Sequence, residues 1–443
     1  MTSDATVEVL IRGLAAGGSG VGDLADGRVV FVPRTAPGDR ARIHIDKEKA
    51  RWAVGSMVSI VEPGPDRSEP HCRVYAQCGG CQLQHLPYDR QLEWKGRFVA
   101  EALRRIGGLG IAEPPEVVAS PRATRYRNRI TLTLRRLRGG RVVAGFHALG
   151  RPAHVIDIHD ECVLPEPALS EAWTALRASW GGGARLLPDG GRLRLTLRAL
   201  DHGVDLVIEG GAGEWVPDRL LEVNPRLTSA RHLAERPAGR SAERGSAGGV
   251  DEGAADRPTQ EVAAERGLHE MDPDALGTAF VQVNREVAEL LRDHVLEVAG
   301  SGAEAVDAYC GVGAFGRALA ETGWSVVGIE HDLVAVAIAQ RSSPSAFRVV
   351  RGLVEERLTA HLPADLLLVN PPRSGLHRDV PGTVLAAPPA RVVYVSCDSA
   401  TLARDVAALA EGYELRGLRS FDLFPQTAHV ETVAVLVRRE RGA

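Results

Sequence analysis

The chain has 443 residues, of which 44% are hydrophobic and 25% charged, with a formal net charge of −4. That length suits about two to four domains that each bury a core, and the composition is that of a soluble globular protein. No run approaches the ~18 apolar residues of a membrane span, no secretory leader opens the chain, and the small net charge excludes whole-chain steering toward polyanions. A cytoplasmic location without membrane partners is expected, and six cysteines in such a chain argue against a disulfide framework.

From residue 4 to about 62, short β-rich runs alternate with Gly, Asp and Pro turns: Val7–Ile11, Arg28–Val32, Ala41–Ile45 and Ser56–Val61. Short strands at this spacing predict a small barrel of the OB type, closed by Pro63-Gly64-Pro65. A cysteine knot follows, Cys72-x5-Cys78-Gly79-Gly80-Cys81, with Cys162 far downstream. Four thiolates suffice for a [4Fe–4S] cluster or a structural zinc. The two glycines and the three-plus-one spacing favour the cluster. Leu92, Lys95, Val99, Leu103 and Ile106 then fall near helical spacing and predict a helix over about 88–106.

Between Glu116 and Asp157 the chain has no acidic residue but carries Arg122, Arg125, Arg127, Arg129, Arg135, Arg136, Arg138, Arg141 and Arg151. Tyr126 and Phe146 lie among them. A one-sign arginine run with aromatics suits phosphate neutralisation and base stacking, so RNA contact is expected here rather than a merely solvated face. Residues 63–231 therefore read as a mixed central domain. Residues 232–267, rich in Ala, Gly, Ser, Glu and Arg without periodicity, read as a flexible insert.

From Leu268 to the end, helical patterns alternate with apolar strands, which predicts a doubly wound parallel sheet and an α/β domain over 268–443. Ala305–Tyr309 is a strand that turns through Cys310-Gly311-Val312-Gly313-Ala314-Phe315-Gly316 into a helix. The glycines allow close backbone approach to a ligand. The next strand, Val326–Ile329, ends in Glu330, a carboxylate placed to accept both ribose hydroxyls of an adenosine. These features suit a nicotinamide dinucleotide or S-adenosylmethionine. The strand Asp365–Val369 decides for the second, because it runs into Asn370-Pro371-Pro372-Arg373. Two prolines stiffen a loop at the sheet edge and hold the Asn370 amide and Arg373 over the cofactor, as methyltransferases do to position the acceptor base.

Val392–Ser396 is a further buried strand, and it delivers Cys397 at its C-terminal edge, where open α/β sheets place reacting groups. A cysteine there is either a small buried hydrophobe or a nucleophile. C5 of uracil becomes nucleophilic only when a thiolate adds at C6, and a base must then remove the C5 proton so that the thiol can leave. Glu431, at the start of the last apolar strand, is the candidate base. His429 and Asp422 are its rivals.

Taken together these motifs resemble the RNA 5-methyluridine (uracil-C5) methyltransferases, over nearly the whole chain outside 232–267. The resemblance implies a Rossmann-like methyltransferase domain, an N-terminal OB-like TRAM barrel at 1–62 that binds RNA, and an iron–sulfur central domain. It assigns Cys72, Cys78, Cys81 and Cys162 to a [4Fe–4S] cluster, with Gln82-Leu83-Gln84-His85 continuing that motif. It assigns Gln282 (in Phe280-Val281-Gln282-Val283-Asn284), Tyr309, Gly311, Glu330 and Asn370 to S-adenosylmethionine, Cys397 to the nucleophile, and Glu431 rather than His429 to the base. A TRAM domain with a cluster leans toward 23S rRNA as substrate, with tRNA as the alternative. Three positions depart from the family pattern: Asn370 stands for Asp, Asp398-Ser399 for Asn-Pro, and no acid follows Gly352. The rival readings are an exocyclic-amine methyltransferase, which Arg373 after the prolines and Cys397 oppose, and a non-catalytic RNA-binding protein with a retired enzyme domain.

Overall fold

The computed structural model describes residues 6–213, 215–234, 260–265, 282–341 and 343–440. The chain forms two compact units, one of residues 1–71, 81–126 and 278–443, the other of residues 72–80 and 127–277. The first unit begins with a closed barrel of five strands, β1 (Thr6–Leu14), β2 (Gly20–Asp23), β3 (Val29–Val32), β4 (Arg40–Glu48) and β5 (Trp52–Glu62). Alternation dictates the barrel: Val9, Ile11, Val30, Val32, Ala41, Ile43 and Ala53 point inward and are buried, while their neighbours face out. The glycine-rich segment Gly20–Asp23, which apolar patterning does not mark, supplies the strand that closes the ring. Helix α1 (Tyr88–Arg105) follows, and the two-residue strand β6 (Val117–Val118) ends this part.

The second unit is a seven-stranded sheet. Its strands are β7 (Arg129–Arg136), β8 (Val142–Ala148), β9 (Arg151–Asp157), β10 (Arg192–Leu200), β11 (Gly203–Glu209), β12 (Leu227–Ala234) and β13 (Gln260–Glu265), in the order β13-β12-β11-β10-β7-β8-β9. Helices α2 (Pro167–Ser179) and α3 (Pro217–Val223) cover it through Trp173, Leu176, Leu220 and Leu221. The ends of the expected insert are not irregular, because Ser229–Ala234 pairs antiparallel with Gln260–Glu265. The rest of that stretch, 235–259 and 266–267, lies outside the described residues, as do 268–281 with Phe280 and Val281.

The remainder of the first unit alternates helix and strand: α4 (Arg285–Ala299), β14 (Glu304–Ala308), α5 (Ala314–Glu321), β15 (Ser325–Glu330), α6 (Leu333–Arg341), β16 (Phe347–Arg351), α7 (Val354–Arg357), β17 (Leu366–Val369), α8 (Val380–Ala386), β18 (Arg391–Ser396), α9 (Ser399–Leu409), β19 (Tyr413–Phe421) and β20 (Glu431–Arg438). The sheet order is β16-β15-β14-β17-β18-β20-β19-β6, and β16 through β18 are parallel. β20 enters antiparallel between β18 and β19. Strands β17 and β18 are apolar on both faces because helices cover both. The division of the chain also differs from a cut in chain order at 63–231. Residues 81–126 group with the α/β domain, where β6 extends its sheet beside β19.

Candidate active site

The strand-to-helix turn after β14 is the first wall of the site. Tyr309, Gly311 and Gly313 all have positive φ there (61°, 55° and 80°), which turns the chain from the strand into α5. The three glycines of the turn do different work. A Cβ at Gly311 would meet nothing, so this position is an open cradle. A Cβ at Gly313 or Gly316 would instead run into the ring of Phe347, which is buried on β16. Only the first glycine is therefore free for a ligand's approach. The other two accommodate an aromatic side chain from two strands away.

Glu330 ends β15 and is almost fully buried. Its Oε2 accepts from the Gly311 amide at 3.0 Å, and its Oε1 accepts from the amides of His331 and Asp332 at 2.7 and 2.8 Å. The carboxylate thus ties the glycine turn to the loop after β15. Asp307, at the end of β14, is wholly buried and has no donor at hydrogen-bonding geometry, with only the Gly316 amide facing it. Burial pushes its carboxyl up to about 7. An open glycine cradle beside a buried acid with unfilled acceptors fits a ligand that brings hydrogen-bond donors, as the nucleoside and amino group of S-adenosylmethionine do. Tyr309 is half-buried, and its hydroxyl accepts from the His377 amide at 3.5 Å. Gln282 lies just before α4, whose N-cap Asn284 accepts from Val287 and donates to Ser120 at 3.0 Å. Asn370 follows β17 next to β14, its backbone N–H donating to Ala308 O at 3.3 Å.

The second wall comes from the β18–β20 pair. Val395 pairs with Val433 and Ser396 with Thr432, so Cys397 and Glu431 stand at the next step of one antiparallel ladder. Cys397 is half-buried, and Glu431 is 4% exposed. Burial pushes the Glu431 carboxyl up to about 7, with Arg373 opposing the shift. The Cys397 thiol is pushed up to about 11, first by burial and then by the Glu431 charge, again with Arg373 opposing. Arg373, Cys397 and Glu431 therefore form one electrostatic group at the C-terminal edge of the sheet.

The loop that leads into β20 distinguishes the rival bases. Asp422 is buried in an ion pair with Lys95 of α1, and Lys95 also donates to Phe424 O at 3.1 Å. Its charge is committed to anchoring. Gln91 donates to the Gln426 side chain and accepts from the Gln426 amide, each at 3.0 Å, which fixes the same loop. His429 packs edge-on against Phe424. Apolar spacing placed Lys95 on the buried face of α1, but its partner lies 327 residues away and has no sequence signal.

One expectation finds no support. Cys72, Cys78 and Cys162 group with the second unit and Cys81 with the first. Among the described residues no three His, Cys, Asp or Glu side chains gather in a way that could hold a metal ion, so the expected [4Fe–4S] set has no support here. Within the arginine run, Arg125, Arg135, Arg138, Arg141 and Arg151 are exposed, whereas Arg136 is engaged within its unit. Arg136 donates to the carbonyls of Gly183, Ala184, Leu187 and Gly190 inside its own unit, and Arg122 pairs with Glu286 at 2.9 Å. Among the described residues no helix is long and apolar enough to cross a membrane.

A parallel sheet with one antiparallel strand inserted between β18 and β19, a glycine turn after β14 and an acid ending β15 define a Rossmann-like methyltransferase domain joined to a TRAM barrel. Residues 345–439 match the tRNA (Uracil-5-)-methyltransferase family and residues 4–58 match the TRAM domain. An uncharacterized RNA methyltransferase of Gloeobacter violaceus is 36% identical over 98% of this chain and 96% of its own length. One of Halalkalibacterium halodurans is 32% identical over 97% and 96%. The crystal structure of the Pyrococcus abyssi tRNA (uracil-54, C5)-methyltransferase with S-adenosyl-L-homocysteine superimposes with a TM-score of 0.71 at 27% identity, over 97% of this chain and all of that one. The chain belongs to the S-adenosylmethionine-dependent RNA (uracil-C5) methyltransferases.

Proposed function

We propose that this enzyme methylates C5 of a uridine in 23S rRNA, with Cys397 as nucleophile and Glu431 as base. The observation that carries the chemistry is the juxtaposition of Cys397 and Glu431 on the β18–β20 ladder, with the Arg373 charge acting on both. The Cys397 thiol gives up its proton to solvent and the thiolate adds to C6 of the uracil, while the electron pair of the C5–C6 bond moves to C5 and the O4 carbonyl. S-adenosylmethionine, when bound, supplies the electrophilic methyl group that C5 takes up. Gln282, Tyr309, Gly311, Glu330 and Asn370 are the residues that would hold it. Glu431 then removes the C5 proton. The C5–C6 double bond re-forms and expels the Cys397 thiolate, and the enzyme is restored once Glu431 has given up its proton and the thiolate has been reprotonated.

The raised carboxyl of Glu431 suits this role, because a base that ionises near neutrality both accepts the proton and releases it again. Ribosomal RNA as substrate rests on the TRAM barrel and the cysteine motif. The full-length likeness to an enzyme that acts on uracil 54 of tRNA favours tRNA as the second reading. Nucleoside mass spectrometry of 23S rRNA and bulk tRNA, from cells with and without the gene, separates the two: 5-methyluridine lost from rRNA supports the first, and loss from tRNA alone overturns it. A cluster on Cys72, Cys78, Cys81 and Cys162 rests on spacing and resemblance alone. Iron and sulfide analysis of anaerobically purified protein tests it.

A further inference from the structure

One buried carboxylate joins the loop that carries Arg373 to the strand and helix on either side of Cys397. Asp405, in the second turn of α9, is 2% exposed. Its Oδ2 accepts from the Leu376 amide at 2.8 Å and from the Tyr394 hydroxyl at 2.7 Å. Its Oδ1 accepts from Arg404 Nε at 2.8 Å. Arg404 in turn donates to the carbonyls of Ser374 and Leu376 at 2.9 and 3.3 Å. Gly375 between them has φ of 77°, and a Cβ there would collide with both Arg404 and Asp405.

The other side of the clamp is the nucleophile's own scaffold. Tyr394 is the fourth residue of β18, three before Cys397. Asp398, next after Cys397, caps α9 by accepting from the amides of Ala400 and Thr401 at 3.0 and 2.9 Å. The strand before the thiol, the helix after it and the Ser374–Leu376 segment therefore all meet at Asp405. The charged groups that act on the thiol are Glu431 from β20, Asp398 from the cap of α9 and Arg373 from this loop, and of these only Arg373 favours the thiolate.

We propose that Asp405 is a positioning residue: by fixing Ser374, Gly375 and Leu376 it sets where the Arg373 guanidinium stands against Cys397 and Glu431. The inference rests on Cys397 being the nucleophile, but its test needs no RNA. An asparagine at 405 keeps the shape and one acceptor, and it turns an amide toward donors that had faced a carboxylate. The loop is then released, and Arg373 drifts from the thiol.

The measurement is the rate at which iodoacetamide alkylates Cys397 across pH, read by peptide mass spectrometry on the full-length protein. Asp405→Asn is expected to slow alkylation near neutral pH about tenfold, the equivalent of one unit in the thiol's pKa. Arg373→Ala should give the same loss, and the double variant no more than either alone. Arg404→Gln, which cuts the tether from its exposed side, should shift the profile in the same direction, and it decides the matter if Asp405→Asn does not fold. In methyl transfer, Asp405→Asn should lower kcat and leave the KM for RNA unchanged. A parental alkylation profile in a folded Asp405→Asn, or losses that multiply in the double variant, would overturn the proposal. Failure of the nucleophile assignment would show separately, as methylation retained by Cys397→Ala.

Discussion

Glu431→Gln is expected to stabilise the protein while abolishing turnover, and the size of the gain follows from burial. In the fold the Glu431 carboxyl ionises at about 7, against an ordinary 4.5. The native state therefore holds a proton that the unfolded chain releases. Stability is full below pH ~4.5, falls as pH rises toward 7, and is level beyond. A shift of this size corresponds to about 3 kcal/mol, an order-of-magnitude figure for a group with 4% of its surface exposed. Glutamine has the same shape and no charge to bury. The variant should match the parent near pH 4 and exceed it by about 3 kcal/mol at pH 8. Asp307 is also raised, but it is present in both proteins and cancels. Because the chain has two units, the assay should be local: native-state hydrogen exchange of the β18 and β20 peptides, comparing variant and parent at each pH. A gain of equal size at both pH values, or none at pH 8, would refute the argument from ionisation.

The same variant, lacking the base, should accumulate a covalent RNA adduct on Cys397, visible as a slowly migrating band on a denaturing gel; no band from an enzyme with reactive Cys397 would point to another base. Single-turnover release of methylated RNA by the parent should rise with pH through a midpoint near 7, as Glu431 loses its proton, and a flat profile there would exclude this role. Gly316→Ala puts a methyl 2.5 Å from the Phe347 ring and should cost about 1–3 kcal/mol in thermal melting, with Phe347→Leu recovering part of the loss. Lys95→Met leaves Asp422 buried and unpaired and should cost about 3–5 kcal/mol in urea unfolding. Adding Asp422→Leu should restore most of it, and a double variant as unstable as the single would show that the pair is not the cause.

The chain by itself determined what is encoded by local pattern. Apolar runs marked β17 and β18 as strands buried on both faces, and a thiol directly after the second placed Cys397 at the sheet's C-terminal edge. Glycines and an acid two dozen residues apart at most, each beside its strand, placed Gly311 and Glu330 together. Alternation drew most of the barrel but missed Gly20–Asp23, because glycine and aspartate carry no apolar period for a strand to be read from. Tertiary structure alone decided the rest. Gly313 and Gly316 are small because Phe347 fills the space beside them, not because a ligand does. Asp422 is held in an ion pair by Lys95, and Arg136 is drawn inward by carbonyls about 50 residues away. Asp405 matters through Leu376, Tyr394 and Ser374, none of them predictable from its own helix. Periodicity tells which face of an element is buried. Which groups meet on that face depends on the order in which the sheet assembles, and no local pattern contains that order.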